Sequence, residues 1–447
     1  MTLVPFHGDD SVNDVYLHPE FETASRDDLA RLQQQRLRTT VAQAARSQFY
    51  CDRFAQLGIK PEQIQTLDDL RRIGFTTKQD LRASYPYGML AVSRDEIVRV
   101  HVSSGTTGTP TAICHTQRDI DNWADIMGRS MYMAGMRKSD ILQNMMTYGM
   151  FTGGLGVHYG AERIGMMVLP TSAGNTERQI RLIKDFGTTA LHITPTYALH
   201  LIGVLANMGI DPKSLGIKYA IIGGEPCSRT ARKKLEQVFG FRTVNCFGLS
   251  EMNGPGVGFE CPTDGALHVW EDHYIVEIID PDNGEPLPDG QEGELVLTTL
   301  MREGMPLLRY RTRDLTRIIP QKCRCGRTHV RIEPIKARSD DMLILGGVNV
   351  YPSQVEQVLM GIPEVGNNWV MVLTKKESLD KMTIRVEIRP DAFTGDIRQL
   401  QALRDKIVHA VKSEILVNPI VELLEPGSLP EMVGKAKRVI DQRNSEE

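Results

Sequence analysis

Ser103-Ser104-Gly105-Thr106-Thr107-Gly108-Thr109-Pro110 is the stretch from which the reading of this chain starts. Seven of its eight residues are Ser, Thr or Gly, so the backbone can turn sharply, expose its N–H groups and surround an anion with hydroxyls. That composition predicts a phosphate-gripping loop. It lacks the Gly-Lys-Ser/Thr ending of a Walker A loop, and its flanks differ as well. Ile97 to Val102 alternates like a strand and Thr111 to His115 reads as a second one, which predicts a hairpin, whereas a Walker loop opens a helix. Taken alone, the stretch is equally consistent with an ordinary Ser/Gly turn.

The rest of the composition narrows the classes. A chain of 447 residues exceeds one ordinary core, so two or more domains are expected. Lys+Arg 52 against Asp+Glu 56 leaves a formal net charge of -4 with no basic block, so no nucleic-acid partner is expected. Met1 to Val15 carries Asp9, Asp10 and Asp14 without Lys or Arg, the wrong charge for a signal peptide, and no apolar run reaches membrane-spanning length. The expectation is a soluble, cytoplasmic protein with no membrane contact. Seven cysteines, odd and sparse, suit reduced thiols or a metal site better than a disulfide framework. Cys261, His268, Cys323 and Cys325 supply the four N/S ligands that a structural zinc takes, although Cys323-Arg324-Cys325 is tighter than the common Cys-x-x-Cys knuckle. His329 is an alternative to His268, and free surface thiols are the alternative to zinc.

In chain order, Arg26 to Phe54 and Asp119 to Met133 carry apolar residues at helical spacing. From Ile141 onward, short apolar runs (141–146, 165–169, 190–194, 218–222, 242–246) alternate with amphipathic ones (176–186, 195–208, 228–239), which predicts parallel strands with crossover helices. Ligands of such sheets bind beyond the carboxyl ends of the strands. Gly223-Gly224-Glu225-Pro226 and Asn245 to Glu251 fall at two such ends. The glycine pair lets a flat ring approach the backbone, or is simply a tight turn; Glu251 suits magnesium, or caps a helix. After Pro262 the chain becomes β-rich, and Asp314 in Tyr310-Arg311-Thr312-Arg313-Asp314 can accept two ribose hydroxyls or pair with Arg311 or Arg313. Helix, strand and helix at 354–360, 383–388 and 399–414 predict a C-terminal α+β domain, and Pro430 to Arg438 reads as an exposed basic loop. The fold class is thus α/β: a large N-terminal domain, 1–337, with parallel-rich sheets flanked by helices and a β-rich subdomain about 262–337, then a small mobile C-terminal α+β domain, 338–447.

In order along the chain, Ser103 to Pro110, Gly223 to Pro226, Phe247 to Glu251, Asp314, Arg338 to Asp341 and Gly434-Lys435 resemble the motifs of the adenylate-forming superfamily of acyl-CoA synthetases. Tyr148 to Gly156, His158 to Arg163, Leu267 to His273 and Gly434 to Asp441 resemble, more narrowly, the phenylacetate-CoA ligase family. The resemblance covers nearly the whole chain. It implies that a small-molecule carboxylic acid, phenylacetate first among aryl acids, attacks the α-phosphate of ATP, after which coenzyme A displaces AMP. It further implies that Ser103, Ser104, Gly105, Thr106, Thr107 and Gly108 hold phosphates, that Glu251 ligates Mg2+, and that Lys435 contacts the reacting phosphate and carboxylate. Asp314 binds ribose with Arg338 nearby, and Gly223, Gly224, Glu225, Asn245, Cys246, Phe247 and Gly248 form the adenine shelf. Ser250 stands where the wider superfamily often has threonine and keeps the hydroxyl. Asp340 matches the hinge about which the small domain swings. Tyr148 and Phe151, with Met150, line an acyl pocket in this reading or else belong to the core. An adenylyltransferase acting without coenzyme A, a non-catalytic nucleotide-binding regulator, and a homodimer all stay open.

Overall fold

The computed structural model describes residues 15–103, 109–339, 343–345, 348–376, 379–390, 392, 396–430 and 438–443. Ser104 to Gly108, Asp340 and Gly434 to Lys437 therefore lie outside the described residues.

The first elements are the helices α1 (Pro19–Glu22), α2 (Arg26–Ala44), α3 (Gln48–Leu57), α4 (Leu67–Arg71) and α5 (Lys78–Ala83). The single helix expected over 26–54 is two, because Ser47 stops it: its hydroxyl donates to the Ala44 carbonyl at 2.7 Å and accepts from the Tyr50 amide, ending one helix and capping the next. β1 (Arg99–Ser103) and β2 (Thr111–His115) form the expected antiparallel hairpin, with Ser103 opposite Thr111. Next come α6 (Gln117–Met133), β3 (Ile141–Asn144), α7 (Gly153–Arg163), β4 (Met167–Leu169), α8 (Thr176–Phe186), β5 (Ala190–Ile193), α9 (Pro195–Asn207), β6 (Tyr219–Gly223), α10 (Arg229–Phe239) and β7 (Arg242–Leu249). The β-rich stretch supplies β8 (Gly254–Glu260), β9 (Leu267–Val269), β10 (Tyr274–Ile279), β11 (Gly293–Thr299), β12 (Tyr310–Thr316), β13 (Arg331–Ile332) and β14 (Ala337–Arg338). The remainder is β15 (Leu343–Leu345), β16 (Val348–Val350), α11 (Pro352–Met360), β17 (Val365–Lys376), β18 (Leu379–Ile388), α12 (Ile397–Ile415), β19 (Ile420–Leu424) and β20 (Val439–Asp441).

Strands β7, β6, β5, β3 and β4 are parallel neighbours, as the alternation predicts, and β8, β9 and β13 extend the same sheet antiparallel to eight strands. β10, β11, β12 and β14 form a separate antiparallel sheet. The β-rich stretch is thus shared between two sheets. β20-β17-β18-β19 makes a third sheet, covered by α11 and α12, whose core from Leu345 to Val421 is a cluster of its own around the fully buried Trp369. This is the large domain of mixed sheets and helices with a small C-terminal domain that the sequence predicts. No helix among the described residues is long and apolar enough to cross a membrane.

The large core buries charge as well as carbon. Arg129, with no exposed side chain, pairs with Asp272 at 3.1 Å and lies 4.6 Å from the centre of the Trp270 ring. Histidines are buried uncharged: burial pushes His192 down to about 3 and His273 to about 4, the latter despite Asp272 beside it. These folded values lie below the unfolded value of about 6.5, so the stability they permit is present above pH ~6.5 and is lost as pH falls toward the folded values. The unfolding free energy from urea titrations should therefore drop between pH 7 and pH 5, by about 2 kcal/mol for each such histidine. A flat profile over that range would show that they charge without resistance.

Candidate active site

The site is built on the reversal between β7 and β8. β7 runs past Cys246, where the apolar pattern predicted its end, to Leu249, and passes into a 3-10 turn, Ser250–Met252. Asn253 (φ 75°) and Gly254 (φ 109°) then turn the chain back into β8. Only glycine fits here: a Cβ on Gly254 would stand 2.4 Å from the Thr152 Cβ, and one on Gly248 would stand 2.0 Å from the Gly254 carbonyl oxygen. The turn delivers Glu251 into the interior, with its side chain 7% exposed. It caps no helix. Lys78 Nζ, at the first turn of α5, lies 3.6 Å from its carboxylate, Arg302 donates to its backbone carbonyl, and the Tyr310 phenol feels its charge. Burial first, then the Glu251 charge, holds that phenol well above its ordinary range. Ser250 Oγ is 3.2 Å from Thr152 Oγ1 at the mouth of α7.

Lys78, Arg302 and Tyr310 are the residues that sequence reasoning missed. Lys78 looks like a solvated helix lysine; its one signal is the capping box Thr77 to Asp80, which fixes where α5 begins and so where the side chain points. Arg302 is buried, and its Nε and second Nη have no hydrogen-bond partner among the described residues, leaving donors beside the turn.

The other predicted residues gather around this turn. The Met150 carbonyl accepts from the Val102 amide at 3.0 Å and lies 3.1 Å from His101 Nδ1, so the Tyr148–Phe151 segment runs alongside the hairpin that leads into the phosphate loop. Phe151 and Met150 are 51% and 55% exposed and are not core residues; Tyr148 is half-buried, its hydroxyl 3.0 Å from His158 Nδ1. At the shelf, a Cβ on Gly223 would reach 2.7 Å from the Cys246 carbonyl oxygen, so strand spacing also demands glycine there. Glu225 accepts the Thr196 amide at 2.6 Å and thereby ties the shelf to α9. The Cys246 side chain is part of the core, leaving only its backbone to face a ligand, while Asn245 and Phe247 are half-buried and Gly248 is exposed. Asp314 pairs with Arg338 across β12 and β14 at 3.3 Å, and Arg311 and Arg313 turn instead to Glu294. Tyr310 feels both Glu251 and this pair, so the turn and the ribose candidate share one wall.

The C-terminal domain meets the same region. Arg438, three residues beyond Lys435, is not the exposed loop residue expected; it lies 5.1 Å from the Trp369 ring centre, donates to the Trp369 carbonyl at 3.0 Å and feels the charges of Glu356 and Glu225. Burial pushes Glu356 up to about 7.

Away from this wall, the candidate metal cluster is assembled. Ligand atoms of Cys261, His268, Cys323 and Cys325 all lie within 4.8 Å of one another, with Cys261 Sγ to Cys323 Sγ at 3.6 Å and Cys325 Sγ to His268 Nε2 at 3.3 Å. Those are the edges of a tetrahedron whose centre lies about 2.3 Å from sulfur, as zinc requires. His329 does not substitute for His268: its Nδ1 accepts the Glu271 amide at 2.9 Å and its Nε2 lies 3.0 Å from the Phe21 carbonyl. Nor are the cysteines free surface thiols, since Cys261 is buried and the other two are half-buried.

A Ser/Thr/Gly hairpin, a buried carboxylate beyond the carboxyl end of a parallel-paired strand and an Asp–Arg pair across two antiparallel strands define a nucleotide-using enzyme, and the chain belongs to the AMP-binding enzyme family. That family's model matches residues 25–300, and the model of the AMP-binding enzyme C-terminal domain matches residues 347–443. Within it, the chain is 45% identical to the phenylacetate-coenzyme A ligase of Thermus thermophilus over 441 residues, 95% of this chain and 99% of the relative. It is 43% identical to that of Escherichia coli over 427 residues, 95% and 97%. Among solved structures, 2-hydroxyisobutyryl-CoA ligase in the postadenylation state with 2-HIB-AMP superposes with a TM-score of 0.91, at 28% identity and covering 97% of this chain and 94% of that one. The same ligase in the thioesterification state, with equal identity and coverage, superposes at 0.71.

The Lys78–Glu251 contact is open to a double-mutant cycle. Lys78→Met, Glu251→Gln and the double variant, compared by urea unfolding, should give a coupling of at most about 1 kcal/mol, because the lysine is partly solvated. Zero coupling would mean that the pair does not form in solution.

Proposed function

We propose that this chain activates phenylacetate, or an aryl acid close to it, with ATP and passes the acyl group to coenzyme A. It is an AMP-forming acid–thiol ligase. The observation that carries the reading is the shared wall on which Glu251, Tyr310 and the Asp314–Arg338 pair meet, beside a hairpin whose loop is made of Ser, Thr and Gly. In the first half-reaction a carboxylate oxygen of the acid bonds to the α-phosphorus and the bond to pyrophosphate breaks. Two anions must meet, so the protein's part is positioning and cationic compensation. Ser103, Ser104, Thr106 and Thr107, with the glycine amides, hold the phosphates; Asp314 accepts the ribose hydroxyls; Gly223, Gly224 and the backbone of 245–248 face adenine. Lys435 reaches the reacting oxygens.

Glu251 fits magnesium: it is one buried carboxylate whose protein counter-charge, Lys78, is displaceable, which suits an ion that takes most of its ligands from phosphate and water. When bound, the ion offsets charge on the departing pyrophosphate. The cysteine–histidine cluster holds a structural zinc. In the second half-reaction the coenzyme A sulfur, having lost its proton, bonds to the acyl carbon as the bond to AMP breaks. The C-terminal domain, 338–447, swings about Asp340 between the two halves, and the higher TM-score against a postadenylation complex than against a thioesterification complex supports reading the present arrangement as the one that precedes thioester formation. Tyr148 and Phe151 face the acyl group.

Two tests follow from these roles. Lys435→Ala should slow adenylation by about 100-fold or more, as the loss of one transition-state donor does, yet leave thioester formation from supplied acyl-adenylate within a few-fold of the parent. Equal loss in both halves would make Lys435 structural. Tyr148→Ala and Phe151→Ala should raise the KM for the aryl acid and leave that for ATP unchanged; parallel changes in both would remove them from the acyl pocket.

A further inference from the structure

The loop that carries Cys323 and Cys325 does more than complete a metal cluster. Between Gln321 and His329 it has no aliphatic or aromatic side chain apart from the imidazole of His329, so it has little hydrophobic anchorage of its own. Its two cysteines face Cys261, just past β8, and His268 on β9, both fully buried in the large sheet. A metal on these four ligands would therefore cross-link the loop to the sheet.

The opposite side of the loop receives the N-terminal segment. Tyr16 Oη donates to the Cys325 carbonyl at 3.0 Å, Arg327 donates to the Val15 carbonyl at 2.9 Å and to Glu22 Oε2 at 2.7 Å, and Thr328 donates its amide and hydroxyl to the Glu22 and Ala24 carbonyls. Gly326 lets Tyr16 approach: a Cβ there would stand 2.2 Å from the tyrosine oxygen. In the segment 15–24 only Glu22 is buried. Glu22 and Arg327 have 0% and 2% exposed side chains, so an interior ion pair, rather than apolar packing, seats the segment. Such a pair holds only while its geometry is good.

We infer that zinc on Cys261, His268, Cys323 and Cys325 is the latch that seats residues 15–24 on the body of the protein, an inference that rests on the zinc assignment above. The test uses the full chain. Protein purified without added zinc should carry close to one zinc per chain by elemental mass spectrometry. Stripping the metal with a thiol-directed mercurial and a chelator should raise amide exchange in peptides covering 15–24 and 320–330 by about tenfold or more, leave β5 and β6 unchanged, and be reversed by added zinc. Cys323→Ser with Cys325→Ser should reproduce the stripped pattern. Arg327→Met should free 15–24 while zinc content stays at one per chain. Absence of zinc would overturn the metal assignment itself. Zinc present, with exchange at 15–24 unmoved by stripping, would overturn the latch and leave the assignment standing. A rise spread evenly over every sheet would also overturn it, since the metal would then hold the whole fold.

Discussion

A polar side chain taken out of water must find partners inside the protein, and that constraint organises the active region around Glu251. The turn that buries it is reached only because Gly248 and Gly254 allow two strands and Thr152 to close within distances no side chain tolerates. Compensation comes from far along the chain: an ammonium from α5, a guanidinium on the backbone of the turn itself, and a phenol from β12. Lys78 is fixed by α5 and Tyr310 by β12, while Arg302 comes from the connection between β11 and β12. The chemistry of the site thus depends on the docking of an N-terminal helix and of the β10-β11-β12-β14 sheet onto one strand end of the large sheet.

What could be read in the sequence was whatever depends on local rules. The alternation of short apolar runs with amphipathic ones is a direct consequence of parallel strands needing crossover helices, and it located β3 to β7 in order. The hairpin around Ser103 to Pro110 followed from period-two flanks, and the cysteine–histidine cluster from ligand chemistry. Asp314 and Arg338 stand together as the motif implied, because they face each other across a two-residue register. Residues defined by long-range packing were not legible. Nothing near Lys78 or Arg302 reveals that each ends at Glu251. Ser47 sits inside a continuous helical pattern, and only its hydroxyl's competition for backbone partners splits the helix. Cys246 belongs to a ligand-facing motif, yet the pleat turns its side chain inward.

Where the small domain faces the shelf, charged groups of both domains act on one another. Arg438, Glu356 and Glu225 meet there, with one carboxyl that burial renders half-neutral near physiological pH. The small domain has a core of its own around Trp369, separate from that of the large domain.

The seating of the N-terminal segment has a consequence in time. Glu22 waits for Arg327, 305 residues further along the chain. At about 5–20 residues per second on the ribosome, that interval is roughly 15–60 s, during which the first segment is outside the tunnel with a buried-type carboxylate still in water. Strands β3 to β9 can pair in that time without it, and the segment is fastened only once Arg327 has been made. Residues 15–24 are therefore set in place after the strands of the large sheet that precede Arg327 in the chain.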